Sequence, residues 1–374
     1  MKKRILIPYA TYGSGHKSIA EYIKKYFEEN GDYECLTLDL ITDSSYIVSK
    51  FSKKTTEFFM TKLPSIWSLL YYGFDNKISA YISGKINLNL YDNKKLKKII
   101  TDFNPDITIA THFFGTDLIN KYNKLNLTNS KLVTVITDYQ SHDFWLNSIK
   151  GTDAIIVSSL NERIKLLKRG YKNKQIHTSG IPILSDLTPL ENKNDILKKL
   201  NLDTNKKTVL FFVGGGNGAL LNLTYFKHIL KNDYDCNLIF IAGKNKKAEK
   251  RANEMLNEYK RKNTKIYGFV TNVSELYKIS DIVITKPGGA QTTECLLFNK
   301  PMILIKSNGG QEIGNRRFLV RNGFAKWAKN KNSFASSLNT LLKNNKEIEK
   351  MKKKINKYDE KKSMEKLFKI VEKI

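Results

Sequence analysis

The sequence predicts an α/β protein built from two doubly wound Rossmann-like domains, and three observations lead there. At 374 residues with 41% apolar content, the chain is too long for one ordinary core and apolar enough to build two. Short runs of Val, Ile and Leu alternate with longer helix-like stretches, the pattern of parallel strands covered on both faces by helices. Two of these runs open into glycine-rich turns, "YGSGHKS" and "VGGGNG", so the alternation starts twice.

Taken in order, "RILIPYA" is the first strand. Its lysine-rich lead-in has the charge of a signal peptide, but the apolar run is too short for a signal core and leads into a glycine turn. "ECLTLDL", "DITIAT", "KLVTVITD" and "AIIVSS" continue the sheet of an N-terminal domain over residues 1–180. Thr42 to Leu96 interrupts the alternation with aromatics and lysines and holds no plausible parallel strand. It reads either as helices packed on the first domain or as a membrane-facing patch, since Trp and Tyr favour the bilayer interface and Lys favours anionic headgroups. Pro182 and Pro189 break both periodicities and mark a linker at 181–191. "TVLFFVGG", "NLIFIAG", "TKIYGF", "DIVITK" and "PMILIK" then make the C-terminal domain, 192–342, and 343–374 is a Lys-rich helical segment that packs back on either domain.

The formal charge is +28, which attracts anions: nucleic acid, anionic lipid or phosphorylated substrates. Its spread in stretches such as "NKKLKKI" is equally the mark of a solvated Lys/Asn-rich surface. No zinc spacing, RNA-recognition signature or concentrated basic stripe is present, so specific nucleic-acid binding is not expected. Cys35, Cys236 and Cys295 are widely separated and lack metal-ligand spacing, which fits a reduced cytosolic protein. No stretch approaches the ~20 apolar residues of a spanning helix, so membrane contact is expected to be peripheral.

The glycine turns decide the chemistry. In "YGSGHKS", His16 separates Gly15 from Lys17 and no glycine stands at the earlier position a P-loop requires, which disfavours nucleotide hydrolysis of that type. The turn still aims backbone N–H groups at the crevice beyond the strand ends, where His16 is either a base or a cap on its own helix. "VGGGNGA" allows a G-x-G-x-x-A match at Gly214, Gly216 and Ala219, but the next strand ends "IAGKN" without the acid that would hold a dinucleotide ribose. The strongest signal is "DIVITKPGGAQTTECLLFNKPMILIKSNGGQEIGN". Lys286 to Gly289 follow a buried strand and open a helix suited to a diphosphate, and Glu294 is expected on that helix's first turn, facing a ribose. Gln311 and Glu312, beside a Gly-Gly pair, can read several sugar hydroxyls.

At these residues the sequence resembles the diacylglycerol glycosyltransferase family, which includes plant monogalactosyldiacylglycerol synthase and bacterial processive diacylglycerol glucosyltransferase. It is more distantly similar to the lipid-linked N-acetylglucosaminyltransferase of peptidoglycan synthesis. The matching stretches are "YGSGHKSIAE", "THFFGTD", "TVITDYQSHDFW", "SGIPI", "VGGGNG", "GFVTNVSELYKISDIVITKPGG", "TTE" and "GGQEIGN", in family order from Tyr12 to about Phe324. The resemblance implies a B-type glycosyltransferase (GT-B), its two domains facing across a cleft, the first holding the acceptor and the second a UDP-sugar. It places His16 on the proposed general base and Asp138 beside the catalytic cleft. Gly13, Gly15, His112 and His142 fall on the acceptor side. Gly215, Gly216, Phe269, Val270, Lys286, Gly288, Gly289, Glu294, Gln311 and Glu312 fall on the donor side. Two departures stand out: Gly-Ser-Gly in the first loop where relatives often have three glycines, and Gln291 where a threonine near the diphosphate is frequent.

The chemistry so implied is inverting transfer of glucose or galactose from UDP-glucose or UDP-galactose to the hydroxyl of diacylglycerol, at the cytoplasmic face of an anionic membrane. With no Asp-x-Asp motif and a helix N-terminus for the leaving diphosphate, neither a metal nor another cofactor is expected. A different lipid-linked or soluble acceptor, and a UDP-sugar epimerase on the same fold, remain open alternatives.

Overall fold

The computed structural model describes residues 2–11, 15–43, 73, 88, 92–184, 188–189, 192–214, 218–306, 310–358 and 362–374. Nearly all of the aromatic and lysine-rich stretch between Thr42 and Leu96 lies outside the described residues, as do Gly13, Gly215 and Gly216. The chain divides into two compact units: residues 1–184 with 309–314 and 359–374, and residues 185–308 with 315–358.

The first unit is a six-stranded, all-parallel sheet in the order β2-β1-β3-β4-β5-β6. Its strands are β1 (Lys3–Tyr9), β2 (Tyr33–Asp39), β3 (Ile107–Ala110), β4 (Lys131–Val135), β5 (Ala154–Val157) and β6 (Ile176–Thr178). β3 and β5 are buried at every position, which explains why "ITIA" and "AIIV" carry no polar alternation. Helices α1 (Gly15–Asn30), α2 (Lys94–Phe103), α3 (Phe113–Lys124), α4 (Asp143–Ser148) and α5 (Leu160–Lys168) connect them. α1 turns Ile19, Ala20, Ile23 and Phe27 inward at helical spacing.

The second unit has the order β12-β11-β10-β7-β8-β9, also parallel throughout. β7 (Thr208–Phe212), β8 (Asn237–Ile241), β9 (Thr264–Tyr267), β10 (Ile282–Thr285), β11 (Met302–Leu304) and β12 (Ala325–Trp327) form it. The helices are α6 (Lys193–Lys199), α7 (Gly218–Asn232), α8 (Lys246–Tyr259), α9 (Val273–Ile279), α10 (Gly289–Leu297), α11 (Gln311–Arg321, from Asn315 onward in this unit), α12 (Lys331–Lys343) and α13 (Asn345–Asn356). Phe211, Phe226 and Phe240 pack at its centre, and Ile348 and Met351 of α13 close the same core.

The ten strands expected from the apolar runs all form, and β6 and β12 are additions. Each is a three-residue edge strand with one fully buried position, too short for its composition to show. The Lys-rich C-terminal stretch is shared out: α13 packs on the second unit, while α14 (Ser363–Val371) sets Phe368 against Tyr26, Phe27 and Tyr33 of the first. Among the described residues, no helix is long and apolar enough to cross a membrane.

Both sheets change direction once. In the first, β1 is followed by β2 on one side while β3 lies on the other; in the second, β7 is followed by β8 on one side while β10 lies on the other. Such switch points leave a crevice beyond the carboxyl ends of the strands, where α/β proteins bind ligands.

Candidate active site

His16 stands at the first switch point. It is the second residue of α1, just after β1, and its Nδ1 lies 2.8 Å from the carbonyl oxygen of Thr111, which follows β3. A carbonyl only accepts, so Nδ1 carries the proton and donates it; the neutral ring therefore keeps its lone pair on Nε2. Thr137, beyond β4, places its hydroxyl oxygen 3.1 Å from the same Nδ1 and fixes the ring from a third strand end. Thr111 is itself held by its N–H donating to the Pro8 carbonyl of β1, 3.1 Å away. The histidine thus spans the switch point and does not cap its own helix. Burial holds its pKa below the ordinary 6.5, opposed in part by the Thr111 carbonyl. The ring is neutral at physiological pH, with the tautomer a general base needs.

The other histidines carried over from the resemblance are caps. His112 and His142 sit at the N-caps of α3 and α4, and their Nδ1 atoms accept from the N–H groups of Phe114 at 3.3 Å and Phe144 at 3.2 Å. His112 also meets the His16 ring edge-on at 4.9 Å. Burial, and then the neighbouring His16, push its pKa well down, so two adjacent imidazoles share the crevice without charge.

Asp138 follows Thr137 in the loop after β4, half-buried, with its carbonyl accepting from the Ser158 hydroxyl at 3.1 Å. That loop is tied to α5: the Glu162 carboxylate accepts from the N–H of Ser141 at 3.0 Å and from its hydroxyl, and Lys165 reaches the Ser141 carbonyl. At the base of the first glycine turn, Asp39 accepts from Thr11 N–H at 3.3 Å and from the Thr11 hydroxyl at 2.5 Å. Burial works against that carboxylate's charge, but the bonds from Thr11, Thr42 and Ile41 outweigh it and hold the pKa below the usual range. Asp39, Thr137 and Glu162 did not stand out in the sequence; the only trace was an acid closing the apolar run "TLD".

The second switch point joins Gly214 and Lys286. Gly214, after β7, has a φ of 87°, and a Cβ there would meet the Lys286 side chain at 3.0 Å. Glycine is needed twice over, for the left-handed backbone and for the passage of the lysine stem. Lys286 follows β10, and Gly288 then opens α10 with no side-chain cap. The first N–H groups of that helix point past Gly288 with positive dipole outward, an arrangement that suits a diphosphate.

Glu294 differs from expectation in position. It is the sixth residue of α10, in the second turn and not the first, because the helix begins only at Gly289. Its Oε2 accepts from the buried Tyr277 hydroxyl of α9 at 3.0 Å. Gln291, one turn earlier, directs its amide nitrogen at the Tyr277 oxygen and, at 3.4 Å, at the same Glu294 oxygen. The glutamine that departs from the family pattern is thus engaged with the carboxylate. Tyr277 stacks on Phe298 at 5.0 Å, and burial, then Cys295 and Glu294, raise its pKa well above the ordinary range, so it stays a donor.

Phe269 and Val270 lie between β9 and α9. Phe269 is 63% exposed and carries the Lys244 ammonium 5.0 Å from its ring centroid. Gln311 and Glu312 open α11, in the short stretch that groups with the first unit. Glu312 is buried. All three cysteines are free and buried, and no group of metal-ligating side chains occurs among the described residues.

Both units match known proteins. Residues 16–183 match the family model of monogalactosyldiacylglycerol (MGDG) synthase, and residues 192–360 match that of glycosyl transferases group 1. The chain is 31% identical over 357 residues to the processive diacylglycerol beta-glucosyltransferase of Bacillus pumilus, covering 94% of this chain and 89% of that protein. Its fold is similar to MurG of Acinetobacter baumannii, with a TM-score of 0.61 at 11% identity over the full length of both chains. It is equally similar to the UDP-GlcNAc 2-epimerase of Neisseria meningitidis, with a TM-score of 0.61 at 12% identity over 99% of this chain and 100% of the other. With two parallel-sheet units of Rossmann-like order and that identity sustained across both, the chain belongs to the GT-B glycosyltransferase family of MGDG synthase and the processive diacylglycerol beta-glucosyltransferases.

Proposed function

We propose that this protein transfers a hexose, glucose or galactose, from a UDP-sugar to the hydroxyl of diacylglycerol with inversion at the anomeric carbon. The observation that carries the reading is His16, a neutral imidazole fixed with its lone pair on Nε2 at a switch point. An acceptor hydroxyl is a poor nucleophile. His16 Nε2 takes its proton as the oxygen attacks the anomeric carbon from the face opposite UDP, so an α-linked donor gives a β-glycoside. Asp138, in the next strand-end loop, is proposed to favour the imidazolium once it forms. The leaving diphosphate gathers negative charge, which the N-terminus of α10 and Lys286 offset, so the reading requires no metal. Gly215 and Gly216 are proposed to border that diphosphate, Phe269 and Val270 to receive the uracil, Glu294 the ribose, and Gln311 and Glu312 the sugar hydroxyls. Gly13, Gly15, His112 and His142 are assigned to the acceptor side.

The test is UDP release by the purified protein from UDP-glucose and UDP-galactose, with and without diacylglycerol. Release that depends on diacylglycerol is expected, and the preferred donor names the sugar. Tight donor binding with release indifferent to diacylglycerol would remove the lipid acceptor. Conversion of UDP-N-acetylglucosamine without any acceptor would favour an epimerase.

A further inference from the structure

Helix α5 buries one side and leaves the other apolar. Its inward residues are Glu162 and Leu166, while Leu160, Ile164 and Leu167 are 62%, 41% and 38% exposed. Positions 160, 164 and 167 recur at i, i+4 and i+7 and form one stripe, opposite the buried side. Of the eight large apolar side chains exposed among the described residues, three are on this nine-residue helix. The stripe has a basic rim: Lys168 ends the helix, and Lys172 and Lys174 follow in the next turn, all exposed. Arg163 holds that turn against the helix through the Ile176 carbonyl and, at 2.7 Å, the Asn173 side chain.

Place and connection complete the argument. α5 begins directly after β5, so its exposed first residue lies at the same end of the parallel sheet as His16, which follows β1. The inward side of α5 is bonded to the catalytic-end loop through Glu162, Lys165 and an Arg169–Asp143 ion pair of 3.0 Å.

We infer that the outward face of α5 docks on an anionic phospholipid surface, with Leu160, Ile164 and Leu167 entering the headgroup boundary and Lys168, Lys172 and Lys174 meeting lipid phosphates. Apolar insertion and lysine attraction are the two signals that stable, reversible membrane binding needs. The inference deepens the lipid-acceptor reading by naming the surface that faces the bilayer, and it rests on that reading.

The experiment uses the full chain and flotation with phosphatidylglycerol or phosphatidylcholine vesicles, alongside UDP release on diacylglycerol in detergent micelles. Wild-type protein is expected to float with phosphatidylglycerol and to detach as salt rises. Combining Leu160→Ser, Ile164→Ser and Leu167→Ser should lower partitioning roughly 10-fold or more while micellar turnover stays at the wild-type rate. Combining Lys168→Glu, Lys172→Glu and Lys174→Glu should abolish the preference for phosphatidylglycerol. Unchanged flotation of the serine variant would overturn the inference. So would a changed oligomeric state of that variant with flotation intact, which would make the stripe a contact between copies. A wild type that floats but ignores diacylglycerol in micelles would instead defeat the acceptor reading and leave the docking face standing.

Discussion

His16 and Glu294 show how one side chain takes its role from partners that the local sequence does not contain. The carbonyl of Thr111 fixes the His16 tautomer and burial keeps the ring neutral. In the proposed base role the active form is the unprotonated ring, and because its pKa is lowered, activity should persist to more acid pH than a free histidine allows. The acid limb of the kcat/KM profile is expected below pH 6.5, and a limb above that value would contradict the assignment. Glu294 is held in the same manner by Tyr277. Tyr277→Phe keeps the stack on Phe298 and removes the hydroxyl that donates to Glu294 and accepts from Gln291; loss of the bond to Glu294 is worth about 1 kcal/mol, so the donor KM should rise about 5-fold or more with kcat nearly unchanged. Equal donor affinity in that variant would mean that the tyrosine does not position the carboxylate.

At the scale of elements, the proposed site residues sit where two strand ends meet across a switch point, and the meeting residues are far apart in sequence. Gly214 and Lys286 are the sharpest case. Gly214→Ala would strain a backbone at φ 87° and press a methyl against the lysine stem. Donor affinity should fall about 10-fold as Lys286 shifts, while circular dichroism shows the fold retained; unimpaired donor binding would separate this lysine from the diphosphate. Elements of this kind are partly legible in advance. Ten strands could be read because Val, Ile and Leu runs have no other home in an α/β fold, and the helix after "KPGG" because two glycines follow a buried strand. β6 and β12 could not, since three residues at a sheet edge leave no pattern. The turn of α10 that carries Glu294 was misplaced because the helix start depends on backbone angles at Gly288, which composition does not encode. The Thr137–His16 contact spans 121 positions, and nothing local announces it.

The whole molecule repeats one plan twice: a parallel sheet, a single reversal and a glycine at the reversal. The chain then returns through α14 to its first unit, where Phe368 meets Tyr26, Phe27 and Tyr33. Motifs in family order made the family and the two-sheet architecture readable from sequence, whereas the outward face of α5 emerged only once burial was known. A charge of +28, ambiguous by itself, fits a protein that uses an anionic donor and works beside anionic lipid. The most direct measurement of the central claim is the anomeric configuration of the lipid formed from a UDP-hexose and diacylglycerol, read by nuclear magnetic resonance. A β-linked hexosyl-diacylglycerol is the predicted product. An α-linked lipid, or free hexose with the diacylglycerol unchanged, would contradict inverting transfer to a lipid acceptor.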